Sequence, residues 1–106
     1  MELQAGASYS LRNNNRQHLG DVLITRLGNP WVKGKFAPSA AFAEVRPVFA
    51  EFEELVNDQV FALVDGVAEK IDNMGLQVCA ALQGDCVPVF DVQIMNEHDI
   101  AFKLRA

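Results

Sequence analysis

The apolar residues of this chain change period twice, and that constrains the fold more than any other feature. The first third holds short β-branched and aliphatic runs, residues 49–71 repeat apolar side chains at helical spacing, and residues after 75 alternate again. Period two places alternate side chains on opposite faces of a strand, whereas spacings of three and four build one stripe along a helix. Strands, then helices, then strands is the order of an α+β domain. Each element has one apolar side, so the expected architecture is an antiparallel sheet of about five or six strands with the helices packed on one face. The block order is a β-meander, a helical pair, and a closing β-hairpin or meander.

Within the first block, Tyr9–Arg12, Asp21–Leu27 and Trp31–Phe36 read as strands. Asn13-Asn14-Asn15 and Gly28-Asn29-Pro30 carry turn chemistry between them, and Gly34 suggests a bulge. Ser39 is an N-cap candidate. Pro47 either kinks one helix spanning 39–57 or starts a second helix in its first turn. Phe49, Phe52, Leu55 and Val56 form one stripe, Asn57-Asp58 breaks it, and Val60, Phe61, Val64, Val67, Ala68 and Ile71 form the next, ending at Gly75. Gly66 lies inside that second helix, where glycine costs about 1 kcal/mol relative to alanine. Close packing against another backbone would account for it.

The last block alternates cleanly. Leu76, Val78, Ala80 and Leu82 share a face, as do Phe90, Val92 and Ile94, and Ile100, Phe102 and Leu104. Matching apolar to apolar, a loop Gly84-Asp85-Cys86 sets Val78 opposite Val92 and Leu76 opposite Ile94. A loop Glu97-His98-Asp99 sets Ile94 opposite Phe102 and Val92 opposite Leu104. That register leaves Cys86 in a turn and Cys79 facing Asp91, so it argues against a Cys79–Cys86 bridge. Two reduced cysteines, together with a start at Met1–Ala7 that has neither a basic segment nor an apolar one, point to a cytoplasmic protein. The order of strands stays open: the two β blocks either share a sheet or meet in a dimer.

With 106 residues the chain is sized for a single domain, residues 1–106, and no apolar run approaches the ~20 residues of a membrane span. Its net charge of −5 disfavours nucleic acid. The charge is local: residues 44–72 hold eight acids and two bases. Glu51, Glu54 and Asp58, three and four apart, share a helical face suited to a basic partner, or act simply as a solvated surface. Trp31, Lys33 and Lys35 alternate onto one strand face and form a candidate ligand or interface surface, with Val32 and Phe36 on the other. His18 and His98 fall in turns with no local partner for proton transfer. Cys86 follows Asp85, which opposes thiolate formation. No catalytic residue, metal ligand set or cofactor motif is nominated.

The segment Pro30-Trp31…Gly34-Lys35-Phe36-Ala37-Pro38-Ser39-Ala40-Ala41-Phe42…Arg46-Pro47-Val48-Phe49 resembles a group of short bacterial hypothetical proteins. Their pattern runs Pro-Trp, Gly-x-Phe-x-Pro, Ala-Phe and Arg-Pro-x-Phe, then helices and a closing hairpin. Tyr9-Ser10-Leu11 and Leu19-Gly20 also fit, so the resemblance covers residues 9–75; the closing hairpin departs from the group's Trp-containing ending. Small acidic proteins of this kind also look like products of mobile gene cassettes such as those of integrons. The resemblance implies shape and bacterial origin, and no activity. The function expected from the residues is that of a non-enzymatic binding protein, a homodimer with an acidic helical face, immunity-like or antitoxin-like. The alternative is a small-molecule binder with a pocket between sheet and helices near Trp31.

Overall fold

In the computed structural model, which describes residues 2–80 and 84–105, seven strands form one antiparallel sheet. They are β1 (Ser8–Arg12), β2 (His18–Leu27), β3 (Trp31–Pro38), β4 (Gln77–Cys79), β5 (Cys86–Pro88), β6 (Phe90–Met95) and β7 (Asp99–Lys103). Between β3 and β4 lie a short 3-10 helix, Ala40–Glu44, and two α-helices, α1 (Arg46–Asn57) and α2 (Phe61–Asp72). The fold is thus α+β with an antiparallel sheet, as the change of period requires, and it has seven strands rather than five or six. No helix among the described residues is long and apolar enough to cross a membrane.

The strand order β5-β4-β1-β2-β3-β7-β6 answers the question left open by the sequence. The closing block does not stay together. Its first hairpin, β4–β5, adds to β1, and its second, β6–β7, adds to β3, so the opening meander sits in the middle of one continuous sheet. Val78 therefore faces Val87 and Leu11, and not Val92. Ile94 faces Ile100, two residues from the expected Phe102. Registers that differ by two keep every side chain on its face, so apolar matching cannot separate them. The turn chemistry does: Asn96 and Glu97 both take left-handed backbone, with φ of 53° and 62°, and the turn is Asn96-Glu97-His98. Glu53 accepts from the Asn96 N–H through both carboxylate oxygens, at 3.1 and 3.2 Å. Arg46 pairs with Glu97 at 2.6 Å.

The same regrouping overturns the expectation for the cysteines. Cys79 and Cys86 stand directly opposite each other across β4–β5 and form a disulfide. Placing Cys86 in a turn rested on the β4–β6 pairing, which does not occur. Leu82 lies outside the described residues. Leu104 lies past the end of β7 and is exposed rather than continuing its face. Phe90 also leaves its expected face: an irregularity between Phe90 and Gln93 pairs Phe90 with Lys103, while Val92 and Ile94 remain in the core.

One face of the sheet and the inner sides of the helices share the core. Leu11, Leu19, Val22, Ile24, Val32, Phe36, Val78, Val92, Ile94, Ile100 and Phe102 come from strands, and Phe49, Phe52, Val67 and Ile71 from helices. Phe42 of the 3-10 helix joins them, edge-on to Phe36 at 5.1 Å and tilted to Phe49 at 5.6 Å. Pro47 starts α1 within its first turn, so residues 39–57 hold two elements and no kinked helix. Ser39 makes no side-chain cap; its hydroxyl donates to the His18 carbonyl and ties the end of β3 to the start of β2. The bulge expected at Gly34 lies in the neighbouring strand, between Ile24 and Arg26. Gly75 does close the helical region, at a φ of +61° that glycine tolerates best. Gly66 is different: a Cβ there would meet nothing within 4 Å, so close packing does not explain it.

Two departures on α2 matter for function. Val67 and Ile71 are buried and Val64 and Ala68 partly so, but of the expected stripe Val60 and Phe61 stay 37% and 61% exposed, and Leu63, which lies off that stripe, is 59% exposed. The expected apolar stripe therefore reaches the core only from its second turn onward. The first turn overhangs.

Candidate functional site

β3 presents its side chains in the expected alternation. Val32, Gly34 and Phe36 point into the core, while Lys33 and Lys35 lie exposed on the opposite face, with half-buried Trp31 at the strand's start. Pairing with β7 then decides what each residue meets. Lys35 faces Asp99 and forms an ion pair at 2.6 Å. Lys33 faces Ala101. Trp31 faces Lys103, whose Nζ lies over the indole at 4.8 Å from the ring centroid, within the range of a cation–π contact.

Next to this pair the β6 irregularity acts on a charge. Asp91 adopts a φ of +51°, and its Oδ2 reaches Lys103 Nζ at 3.2 Å. A bulge redirects the residues at it; here it brings a carboxylate onto the row Trp31–Lys103–Asp91. The Lys103 side chain is 29% exposed, and its ammonium lies between an aromatic face and an acid.

A cleft of about 270 Å³ opens beside this row. Asp91, Val92 and Gln93 of β6, the terminal strand of the sheet, line one side. Val64, Asp65, Ala68, Ile71 and Asp72 of α2 line the other, and Phe52 of α1 joins them. Residues three, four and seven places after Phe61 are Val64, Asp65 and Ala68, so exposed Phe61 stands on the cleft side of α2. Neither Asp65 nor Asp72 has an ion-pair partner among the described residues. The cleft thus holds three carboxylates, one ammonium and one indole over an apolar floor.

The other nominated acids stand apart from it. Glu51 and Glu54 are exposed on α1, while Asp58, expected on the same helical face, is the exposed C-cap just past its end; none has an ion pair among the described residues and none lines the cleft. Trp31 and the acidic face of α1 are therefore two surfaces. His18 opens β2 rather than lying in a turn, and it does have a local partner: its Nε2 lies 2.9 Å from Asp21 Oδ1 in an exposed pair; His98 sits in the β6–β7 turn as expected. No group of three His, Cys, Asp or Glu side chains among the described residues is placed to hold a metal ion.

A second hollow, of about 520 Å³, is mostly apolar. Leu3, Leu27, Val32, Val87 and Leu104 line it, with Leu27 46% and Leu104 42% exposed. It lies where the β2–β3 turn, β5 and the segment after β7 converge.

Sequence reading nominated Trp31 and missed Lys103, Asp91, Asp65 and Asp72. The two α2 acids were countable as part of the acidic segment, and their shared helical side follows from a separation of seven. Lys103 and Asp91 had no local signal, because only the β3–β7 pairing and the β6 bulge bring them to Trp31. Comparison with protein-family models, with curated proteins and with solved structures returned no match.

Proposed function

We propose that this chain is a non-enzymatic binding protein that recognises a basic partner through its acidic helical layer, in the manner of an immunity protein or an antitoxin. The exposed first turn of α2 carries the reading. Phe61 and Leu63 lie in water with Asp58 just before them and Asp65 just after, while Glu51 and Glu54 extend the negative surface along α1. An exposed aromatic side chain supplies an apolar anchor, and a one-signed surface steers a partner of opposite charge and sets orientation. The net charge of −5 speaks for a basic protein over nucleic acid.

The test is affinity capture from cells of the source organism with three baits: the wild type, Phe61→Asp, and the triple reversal Glu51→Lys/Glu54→Lys/Asp58→Lys. A basic protein held by the wild type and released by both variants, with binding that weakens steeply as salt rises, supports the reading. The same proteins held equally by all three baits would remove it.

Self-association is proposed through the apolar hollow at Leu27 and Leu104, away from the acidic layer, which leaves that layer free for the partner. The Cys79–Cys86 disulfide favours an oxidising compartment over the cytoplasm that reduced cysteines implied. A second reading, small-molecule binding, is favoured by the cleft beside Trp31, where an aromatic face and convergent charged groups border an apolar floor.

A further inference from the structure

We propose that the Trp31 cleft is a site for a small organic cation, an amine or guanidinium carried on a short hydrocarbon body. The proposal rests on reading that cleft as a ligand site and adds the class of ligand.

The charge of the cleft sets the sign. Asp65, Asp72 and Asp91 line it with Lys103 as the single base, an excess of two negative charges. Asp91 is engaged by Lys103; Asp65 and Asp72 have no ion-pair partner among the described residues. Both belong to the same side of α2, since a separation of seven is two helical turns.

Lys103 itself shows what the site holds. Its ammonium sits over the Trp31 face at 4.8 Å and against Asp91 at 3.2 Å. Those are the two interactions through which proteins hold an alkylammonium: the negative face of an indole and a carboxylate. The chain's own side chain therefore occupies part of a cation site. Its long stem lets it withdraw to water when a ligand arrives.

The apolar walls set the body of the ligand. Phe52, Val64, Ala68, Ile71 and Val92 offer hydrocarbon, with the Gln93 carboxamide as the one further polar side chain of the lining. The volume of 270 Å³ equals on the order of nine waters at ~30 Å³ each, so the ligand has roughly that number of heavy atoms. A strong acid is excluded by the carboxylates, and a hydrated metal ion by the apolar floor.

Trp31 is the only tryptophan of the chain, so its fluorescence reports on the cleft alone. The experiment titrates the intact protein at constant ionic strength with three probes of the same four-carbon skeleton: diaminobutane, butanediol and succinate. Three proteins are compared: the wild type, Asp65→Asn/Asp72→Asn, and Lys103→Met, each checked for an unchanged far-ultraviolet circular dichroism spectrum. A saturable change with diaminobutane alone is expected. The double Asn variant should weaken it by about tenfold, the scale of losing charge-assisted hydrogen bonds. Lys103→Met should tighten it, because the variant removes the internal competitor. Weaker diaminobutane binding in Lys103→Met would overturn the displacement argument. Saturation by succinate or butanediol and not by diaminobutane would overturn the cation class while leaving the cleft a ligand site. No change with any probe, in the wild type and in Lys103→Met alike, would overturn both.

Discussion

Gly66→Ala should stabilise the protein, and the structure sets the size of the effect. Gly66 is the sixth of the twelve residues of α2, and it is not among the glycines with positive φ. Its helical neighbours Ala62, Glu69 and Lys70, at spacings of four, three and four, are all exposed. A Cβ added there meets nothing within 4 Å. Nothing offsets the propensity term, so the full helix-interior difference of about 0.8–1.0 kcal/mol between glycine and alanine should appear as stability. Part of it arises in the unfolded chain, which alanine leaves with fewer conformations to lose. For a domain of this length 1 kcal/mol moves the melting temperature by about 4–8 °C. Urea unfolding followed by circular dichroism and by Trp31 fluorescence, with thermal melts alongside, measures it. The midpoint should rise with an unchanged slope, since the surface exposed on unfolding is the same. A variant no more stable than the wild type, or less stable, would refute the reasoning. It would mean that the open side of α2 is occupied in solution and that the missing side chain leaves room for a second backbone.

Two further perturbations test other parts of the fold. Cys79→Ser/Cys86→Ser removes a cross-link spanning seven positions, for which loop-closure entropy gives a loss of about 2–3 kcal/mol; an unfolding midpoint unchanged by the double variant, and by reductant, would mean that the β4–β5 edge is held by its hydrogen bonds alone. Leu27→Asp/Leu104→Asp should convert a dimer to a monomer in sedimentation experiments while keeping the fold, since both side chains are substantially exposed; a wild type that sediments as a monomer, or a dimer that survives both changes, would remove that face as the self-association surface.

Most of the architecture was legible because it depends on local periods. The two α-helices, the buried faces of Val92 with Ile94 and of Ile100 with Phe102, and the Val32/Phe36 against Trp31/Lys33/Lys35 alternation follow from side-chain spacing, which the backbone geometry of each element enforces by itself, whereas Phe90 and Leu104 leave their faces where a bulge and a strand end interrupt it. The strand order was not legible. Its deciding contacts, β1 with β4 and β3 with β7, join segments more than sixty positions apart, and every candidate strand offered a similar apolar face to pair. Matching of faces is degenerate under a shift of two, so the β6–β7 register needed the left-handed turn at Asn96 and Glu97 to fix it. The disulfide fell with the strand order, because which residue faces Cys79 is a question of pairing and not of composition.

The cleft illustrates the same division at the level of chemistry. Trp31 drew attention because it shares one strand face with Lys33 and Lys35, yet neither lysine is its partner: Lys35 pairs with Asp99, and Lys33 lies opposite Ala101. Trp31 meets Lys103 because β3 and β7 run antiparallel with those two residues in register, and Lys103 meets Asp91 at an irregularity of β6 where Asp91 takes left-handed backbone. Moving the β3–β7 register by two positions would place Ala101 or Arg105 opposite the indole. Ala101 would leave the ring without a cation, whereas Arg105 would put a guanidinium there in place of the ammonium. The negative sign of the cleft comes from α2 and β6, and the register decides which side chain of β7 lies over the indole. A sequence that kept every residue type but slipped this pairing would keep the acids of α2 and β6 beside Trp31 and change only the internal cation with which a ligand must compete.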